Sequence, residues 1–231
     1  VTGSLSNGQL AVAVPGDAAV VVVLDQVTIT NSAGPAVSVT SGDKVTLVLA
    51  DGTTSTLTDG TGYQVPNDAT PVAAVASASD LTIAGRGSLT VNGKTNDAIS
   101  TKDGLVIASG SVSVTAVDDG IRGKDYVDIL DGTVTVQAGG DAISSDNAED
   151  ADRGWVKVSA GEVRLTAGSD GIDAVRAITV AGGTVTVEKS AEGLEAHSVT
   201  ISGGTVTITA TDDGINGTAG TVTGGTEQDD G

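Results

Sequence analysis

The chain has 231 residues, a formal net charge of -19, and a simple composition with 33 Gly and no Phe, Met or Cys. Its 30 acidic residues outnumber 11 basic ones, which argues against nucleic acid as a partner because phosphate binding needs clustered Lys and Arg. The lack of Cys excludes disulfides and thiolate metal sites, and no stretch reaches the roughly 18 apolar residues of a membrane span.

The first 60 residues predict short strands separated by turns. Residues 10–14 form an apolar-rich run that ends at Pro15. Residues 19–24 and 45–49 are nearly continuous apolar runs, which is typical of strands buried on both faces. The polar segment 61–70, which contains Pro66, predicts a long loop that crosses the edge of the fold.

From Val75 onward the chain repeats one pattern. Each repeat has an apolar-x-apolar strand, a Gly-rich turn, a second alternating strand, a polar turn, and then an acidic residue followed by a small residue and Ile or Leu. The first strands lie at 81–83, 105–107, 127–129, 156–158, 178–180 and 199–201. The acidic positions are Asp97, Asp119, Asp141, Asp170, Glu192 and Asp213, spaced 22, 22, 29, 22 and 21 residues apart.

The longest spacing indicates an insertion in an otherwise regular coil. Segment 145–154, SDNAEDADRG, is polar, and the apolar register resumes at Trp155. Insertions that leave the period intact are typical of solenoids. We therefore predict an all-β, right-handed single-stranded parallel β-helix over residues 1–217, with coils of about 22 residues and a C-terminal cap or linker over 218–231.

Several separated motifs resemble one known family. Segment 118–125, DDGIRGKD, and the strand segment 105–114 before it are similar to the calcium-binding, polysaccharide-lyase-like β-helical carbohydrate-binding domains of secreted bacterial proteins. Segments 10–14, 57–60, 79–91 and 213–215 agree with that pattern. The resemblance therefore extends over residues 4–217.

This resemblance implies a right-handed parallel β-helix that binds Ca²⁺ at acidic turns and binds plant cell-wall polysaccharide without cleaving it. Acidic pectic chains are the expected ligands, with cellulose as a further candidate. It also implies an extracellular or cell-surface protein, and we expect its targeting segment to have been removed. The chain departs from the family pattern where Glu192 replaces Asp and where Ala follows Asp97 and Asp141.

The acidic column itself predicts metal binding. Carboxylates stacked about 5 Å apart, the spacing of neighbouring strands, raise one another's pKa and destabilise the fold unless a cation lies between them. Ca²⁺ suits such turns because it takes 6–8 oxygen ligands, so we expect several Ca²⁺ ions. For any single Asp-Gly pair the alternative is ordinary turn chemistry, with Asp accepting local backbone N–H groups.

Three groups of carboxylates are the candidate metal ligands. Asp170, Asp173, Glu192 and Glu195 form the first choice, because each coil contributes a second acidic residue three positions on. The other two groups join Asp118 and Asp119 with Asp141 and Asp146, and Asp212 and Asp213 with the coil of Glu192.

The candidate ligand-binding residues are cations and rings near this column: Arg122, Lys124, Tyr126, Arg153, Trp155 and Arg176. Arg can bind a uronate carboxylate in bidentate fashion, or these cations can simply neutralise adjacent carboxylates. Trp155 is either an exposed ring at the rim of a cleft or a cap over the core under the insertion. Three aromatic rings in all are too few to pave a flat cellulose-binding face, which favours calcium-assisted recognition of acidic sugars.

We predict a monomeric, non-catalytic polysaccharide-binding module with no catalytic residues. A pectate-type lyase is the alternative from another class, with a basic residue as the base that abstracts the sugar proton. A structural adhesin stalk is the third reading. Ice binding by outward Thr pairs such as Thr133 and Thr135 is a weaker reading, because Glu162 and Arg164 interrupt the row.

Overall fold

The computed structural model describes residues 1–217 as a stack of short strands; the predicted tail 218–231 lies outside the described residues. The strands are β1 (Thr2–Leu5), β2 (Leu10–Ala13), β3 (Ala19–Thr30), β4 (Val37–Ser41), β5 (Lys44–Leu49), β6 (Thr54–Thr58), β7 (Ala73–Ser77), β8 (Asp80–Gly85), β9 (Ser88–Gly93), β10 (Asp97–Thr101), β11 (Gly104–Ile107), β12 (Ser111–Ala116), β13 (Ile121–Gly123), β14 (Tyr126–Ile129), β15 (Thr133–Gln137), β16 (Ile143–Ser145), β17 (Trp155–Val158), β18 (Glu162–Thr166), β19 (Ile172–Val180), β20 (Thr184–Ser190), β21 (Leu194–Ile201), β22 (Thr205–Ala210) and β23 (Ile215–Gly217).

Every strand pairing in this part of the chain is parallel, and the strands form three ladders. The first ladder contains β2, β4, β7, β10, β13, β16, β19, β21 and β23. The second contains β3, β5, β8, β11, β14, β17, β19 and β21. The third contains β1, β3, β6, β9, β12, β15, β18, β20 and β22. One strand from each ladder makes one coil, and the predicted parallel β-helix is confirmed.

The solenoid has about nine turns of about 24 residues, slightly longer than the predicted coil. The two longest coils are the one in which Val37 pairs with Val75, across the segment that contains the predicted loop, and the one in which Ile143 pairs with Ile172, across the insertion. The first coil, in which Leu10 pairs with Val37, is also longer than the predicted coil. The loop includes one 3-10 turn, Pro66–Asp68. Among the described residues no helix is long and apolar enough to cross a membrane.

The core is a narrow channel of stacked aliphatic side chains. Leu81, Leu105, Val127 and Val156 are consecutive cross-coil partners, and each is at most 1% exposed. Because side chains alternate across a strand, the neighbouring residues point outward. This alternation explains how a chain so poor in aromatic residues buries a continuous core.

Glycine is required at the turn between the second and third ladders. Gly132, Gly161, Gly183 and Gly204 have φ between +76° and +108°, which L side chains rarely adopt. They also lie on one another: a Cβ on Gly161 would come within 2.4 Å of the Gly132 carbonyl oxygen. The repeated Gly therefore sets the tight stacking of this corner.

Candidate functional site

The structure places the repeated acidic residues at one corner of the solenoid. Their downstream aliphatic residues, Ile99, Ile121, Ile143, Ile172, Leu194 and Ile215, are successive cross-coil partners in the first ladder. The residue two positions earlier in each coil is the acidic one, so Asp97, Asp119, Asp141, Asp170, Glu192 and Asp213 form a column, which we call the acidic column.

Backbone hydrogen bonds connect the centre of the acidic column. The Asp141 N–H donates to Asp119 Oδ1 at 2.9 Å, the Asp170 N–H donates to Asp141 Oδ1 at 3.0 Å, and the Glu192 N–H donates to Asp170 Oδ1 at 3.1 Å. Hydrogen bonds of this kind favour the charged carboxylate. The backbone thus compensates part of the repulsion that the sequence predicted.

A glycine lets the carboxylates approach the backbone at this corner. A Cβ on Gly140 would lie 2.6 Å from Asp118 Oδ1 and 2.7 Å from Asp119 Oδ1, so any larger residue would displace both side chains. The second oxygen of Asp119 accepts a hydrogen bond from Ser144 Oγ at 2.9 Å. Asp119 is therefore well supplied with donors from the protein itself.

A second outward row lies beside the acidic column, three positions later in each coil. Ser144, Asp173, Glu195 and Asn216 are consecutive cross-coil partners. The Asn216 side-chain amide donates to Glu192 Oε2 at 3.0 Å. This row brings Asp173 and Glu195 next to the C-terminal part of the acidic column, which we call its upper end.

At the upper end, carboxylates from the acidic column and from the second row form a compact, half-buried group. One oxygen each from Asp170, Glu192 and Glu195 lies within 4.8 Å of the others, so these three residues could hold a metal ion. Burial, and then the charges of surrounding carboxylates, raise the pKa of Asp173 to about 7; those neighbours are Asp141, Glu195, Asp170 and Asp119. Burial and the nearby charge of Glu192 likewise raise the pKa of Glu195.

The N-terminal part of the acidic column, its lower end, differs because a cation, Arg122, lies near Asp97. Burial raises the pKa of Asp97 to about 7, the charges of Asp119 and Asp118 add to this rise, and Ser100 and Arg122 oppose it. Arg122 forms an ion pair with Asp146 at the start of the insertion. Asp146 is thus directed to Arg122, and the structure does not bring it into the carboxylate group of the upper end.

The other predicted metal ligands lie at more open positions. Asp118 is exposed, and burial together with the Asp119 charge still raises its pKa. Asp212 and Asp213 are exposed on the last described coil. The arrangement therefore concentrates close carboxylates at Asp170, Asp173, Glu192 and Glu195.

The two rings among the ligand-binding candidates stack on each other. Both lie on the second ladder, away from the acidic column. Tyr126 and Trp155 are cross-coil partners in the second ladder, with ring centroids 4.7 Å apart and an interplanar angle of 8°. The Tyr126 ring lies over Gly104, where a Cβ would come within 2.1 Å of its Cζ atom. Trp155 is half-buried outside the core and lines a cavity beside the insertion.

The remaining basic candidates hold the insertion. Arg176 donates from Nε to the Asp150 carbonyl at 3.0 Å and from Nη2 to the Ala148 carbonyl at 2.9 Å. Arg153 Nε lies 3.6 Å from Asp125 Oδ2, and its guanidinium is 5.8 Å from the Tyr126 ring centroid. Lys124 is half-buried in the turn before β14.

Sequence reasoning missed a second group of aspartates near the ring pair. Burial, a hydrogen bond with Asp125 and the charge of Asp80 raise the pKa of Asp103 to about 6. The Gly104 N–H donates to Asp80 Oδ1 at 3.0 Å. The signal was available, because an Asp stands at or just before the first strand in three consecutive coils.

The comparisons with known proteins give a family and agree with the solenoid fold. A family model described as a carbohydrate-binding domain-containing protein matches residues 1–229, so the chain belongs to this family of carbohydrate-binding domains. A curated relative from Acetivibrio thermocellus with the same description is 34% identical over 117 residues, which are 50% of this chain and 41% of the relative. The chain therefore spans less than half of that relative's length.

A solved structure is similar over nearly the whole chain. It is described as the polysaccharide lyase-like protein from C. thermocellum, as a gadolinium derivative. It is 31% identical, with a TM-score of 0.78, and the match covers 93% of this chain and 85% of that chain. Family and fold together support carbohydrate binding.

Proposed function

We propose that this domain binds acidic extracellular polysaccharide without cleaving it, and that Ca²⁺ ions at the acidic column are required for binding. The observation that carries the proposal is the carboxylate group of Asp170, Glu192 and Glu195, whose oxygens approach within 4.8 Å of one another. In a carbohydrate-binding family, such a group offers an ion-mediated contact to sugar carboxylates.

The donor set fits Ca²⁺. All of its ligand atoms are carboxylate oxygens, which hard divalent cations prefer, and Ca²⁺ accepts irregular geometry with many oxygen ligands. Burial and four neighbouring carboxylates raise the pKa of Asp173 to about 7, which means that the charged form is disfavoured until a cation joins it. Asp170, Glu192 and Glu195 would hold the ion, and Asp173 would supply further negative charge beside it.

A bound ion at the surface of this domain would supply charge for uronate groups that the acidic protein itself repels. We therefore favour acidic pectic chains over neutral cellulose as ligands of this extracellular module.

A lyase is the second candidate, because the solved neighbour is described as polysaccharide lyase-like. A lyase needs a base within hydrogen-bond reach of the proton that it removes. Arg122 pairs with Asp146, and Arg176 donates to two carbonyls of the insertion. These engagements favour structural and binding roles for both residues, and so they favour binding over cleavage.

One pair of assays on wild-type protein separates these functions. In affinity electrophoresis through gels containing polygalacturonate, we expect retarded migration with Ca²⁺ and free migration with EDTA. In solution with the same polymer and Ca²⁺, we expect no rise in ultraviolet absorbance from unsaturated product. A rise in absorbance would establish the lyase. Unretarded migration in gels of every polysaccharide tested would instead favour the third reading, a structural adhesin stalk.

A further inference from the structure

We infer that the cavity beside Trp155 is a subsite for one uronic acid residue of the polysaccharide. This inference rests on the proposed function and adds a direct sugar contact to it. The cavity measures about 420 Å³, and its lining includes Trp155, Arg153, Lys157, Arg176 and Asp152. It lies on the second ladder, one strand further along the coil than the acidic column.

The Trp155 ring lines this cavity and has a small cross-coil partner on the following coil. Tyr126 covers the face toward the preceding coil, with the rings nearly parallel and 4.7 Å apart. On the following coil the cross-coil partner of Trp155 is Ala177, whose methyl group fills little of the space above the indole. Indole rings bind the apolar face of a pyranose well, because they offer a large rigid surface at low conformational cost.

The side chains that line this cavity carry a net charge opposite in sign to that of the whole molecule. The chain has 30 acidic and 11 basic residues, yet three cations and a single carboxylate, that of Asp152, line the cavity. The distances from Arg153 Nε to Asp125 Oδ2 and Asp150 Oδ2 are 3.6 and 3.9 Å, longer than hydrogen bonds. The Arg153 guanidinium is therefore placed to donate to a ligand carboxylate, which Arg recognises in bidentate geometry.

The walls of the cavity are held by hydrogen bonds before any ligand arrives. The Trp155 Nε1–H donates to the Asp152 carbonyl at 3.2 Å, which fixes the indole orientation. Arg176 lies within an irregularity in the ladder between Ala174 and Ala177, and such irregularities redirect side chains. Its two bonds to insertion carbonyls keep the insertion against the cavity, so that the site needs little reorganisation on binding.

The test uses the fact that Trp155 is the chain's single tryptophan, so fluorescence excited at a wavelength that tyrosine hardly absorbs reports this site alone. Wild-type protein in Ca²⁺ is titrated with an oligogalacturonate of defined length, and then with the same oligomer fully methyl-esterified. We expect a saturable change in emission with the acid, and a response at least about tenfold weaker in apparent affinity with the ester, because the ester removes the ion pairs. An unchanged emission spectrum under conditions where polygalacturonate gels retard the protein would overturn the inference and leave the proposed function intact.

Variants give the second arm, with gel retardation in polygalacturonate as the readout. Trp155→Ala and Arg153→Gln should each weaken retardation by about tenfold, while Trp155→Phe keeps most of it. Arg164→Gln is the matched control, because Arg164 pairs with Glu162 and Glu188 on the third ladder and should leave retardation unchanged. Circular dichroism melting confirms that each variant is folded. Folded Trp155→Ala and Arg153→Gln proteins that migrate like wild type would refute the subsite, whereas wild type that no polysaccharide retards would refute the proposed function itself.

Discussion

Each central carboxylate of the acidic column is a hydrogen-bond acceptor for the next coil as well as a negative charge. Asp119, Asp141 and Asp170 each accept the backbone N–H of the acidic residue that follows in the column. These bonds require an acceptor side chain at this position of each central coil, because an apolar residue here would leave the N–H of the next coil without that acceptor. The same bonds fix the carboxylates close together, and this closeness produces the carboxylate group at the upper end.

Asp97 predicts a specific pH dependence of stability. Its side chain is 3% exposed, and burial with the charges of Asp119 and Asp118 raises its pKa to about 7. Since the folded-state pKa lies above the unfolded value near 3.8, the folded protein binds the proton more tightly. The stabilisation is therefore fully present below about pH 4 and is lost as the pH rises through about 7.

In EDTA, the melting temperature of the wild type should fall as the pH rises from about 4 to about 8, and Asp97→Asn should reduce this fall, because Asn does not titrate. The measurement is thermal unfolding by circular dichroism at a series of pH values. Asp43→Asn is the control, since Asp43 lies in a turn of an early coil away from the acidic column. A pH profile for Asp97→Asn that overlays the wild-type profile would contradict this assignment.

At the scale of strands, the aliphatic side chains that stack inside the coils contribute most of the stability, and the outward side chains contribute little. Leu105 in β11 is fully buried between Leu81 and Val127, whereas Thr133 in β15 is exposed. Leu105→Ala should cost about 2–5 kcal/mol, because it removes buried methyl groups and leaves a cavity. Thr133→Ala should change the free energy of unfolding by no more than about 0.5 kcal/mol.

Urea unfolding followed by circular dichroism measures both variants against wild type. The comparison is matched, because each substitution truncates one side chain to Ala within the same stack of coils. Equal losses for the two variants would show that the outward Thr row carries as much stability as the core, contrary to this description of the fold.

The strand pattern and the register were readable from the sequence because both depend on local alternation and a fixed period. The paired rows at 170, 173, 192 and 195 could be predicted for the same reason. The partner of Arg122 could not, because Asp146 reaches it from an irregular insertion whose path follows no period. The Tyr126–Trp155 stack was within reach, since aligning the strands at 127–129 and 156–158 makes the two rings cross-coil partners.

At the scale of the molecule, the solenoid presents two different surfaces along one stack of coils. Beside the acidic column, burial and neighbouring carboxylates raise the pKa values of Asp173 and Glu195. The second ladder carries the ring pair and the cation-lined cavity against the insertion. In the proposed function, bound Ca²⁺ at the first surface and cations at the second would both attract acidic sugars to a protein with a net charge of -19.

The central claim is that the carboxylates at the upper end of the acidic column bind Ca²⁺, and thermal unfolding of the wild type and of Glu195→Gln, each in Ca²⁺ and in EDTA, tests it most directly. Ca²⁺ at about 100 times its dissociation constant should stabilise the wild type by about 2.7 kcal/mol per site. Glu195→Gln should show a smaller gain, because it removes one carboxylate of the group at Asp170, Glu192 and Glu195. A wild-type melting temperature that is the same in Ca²⁺ and in EDTA would contradict the account.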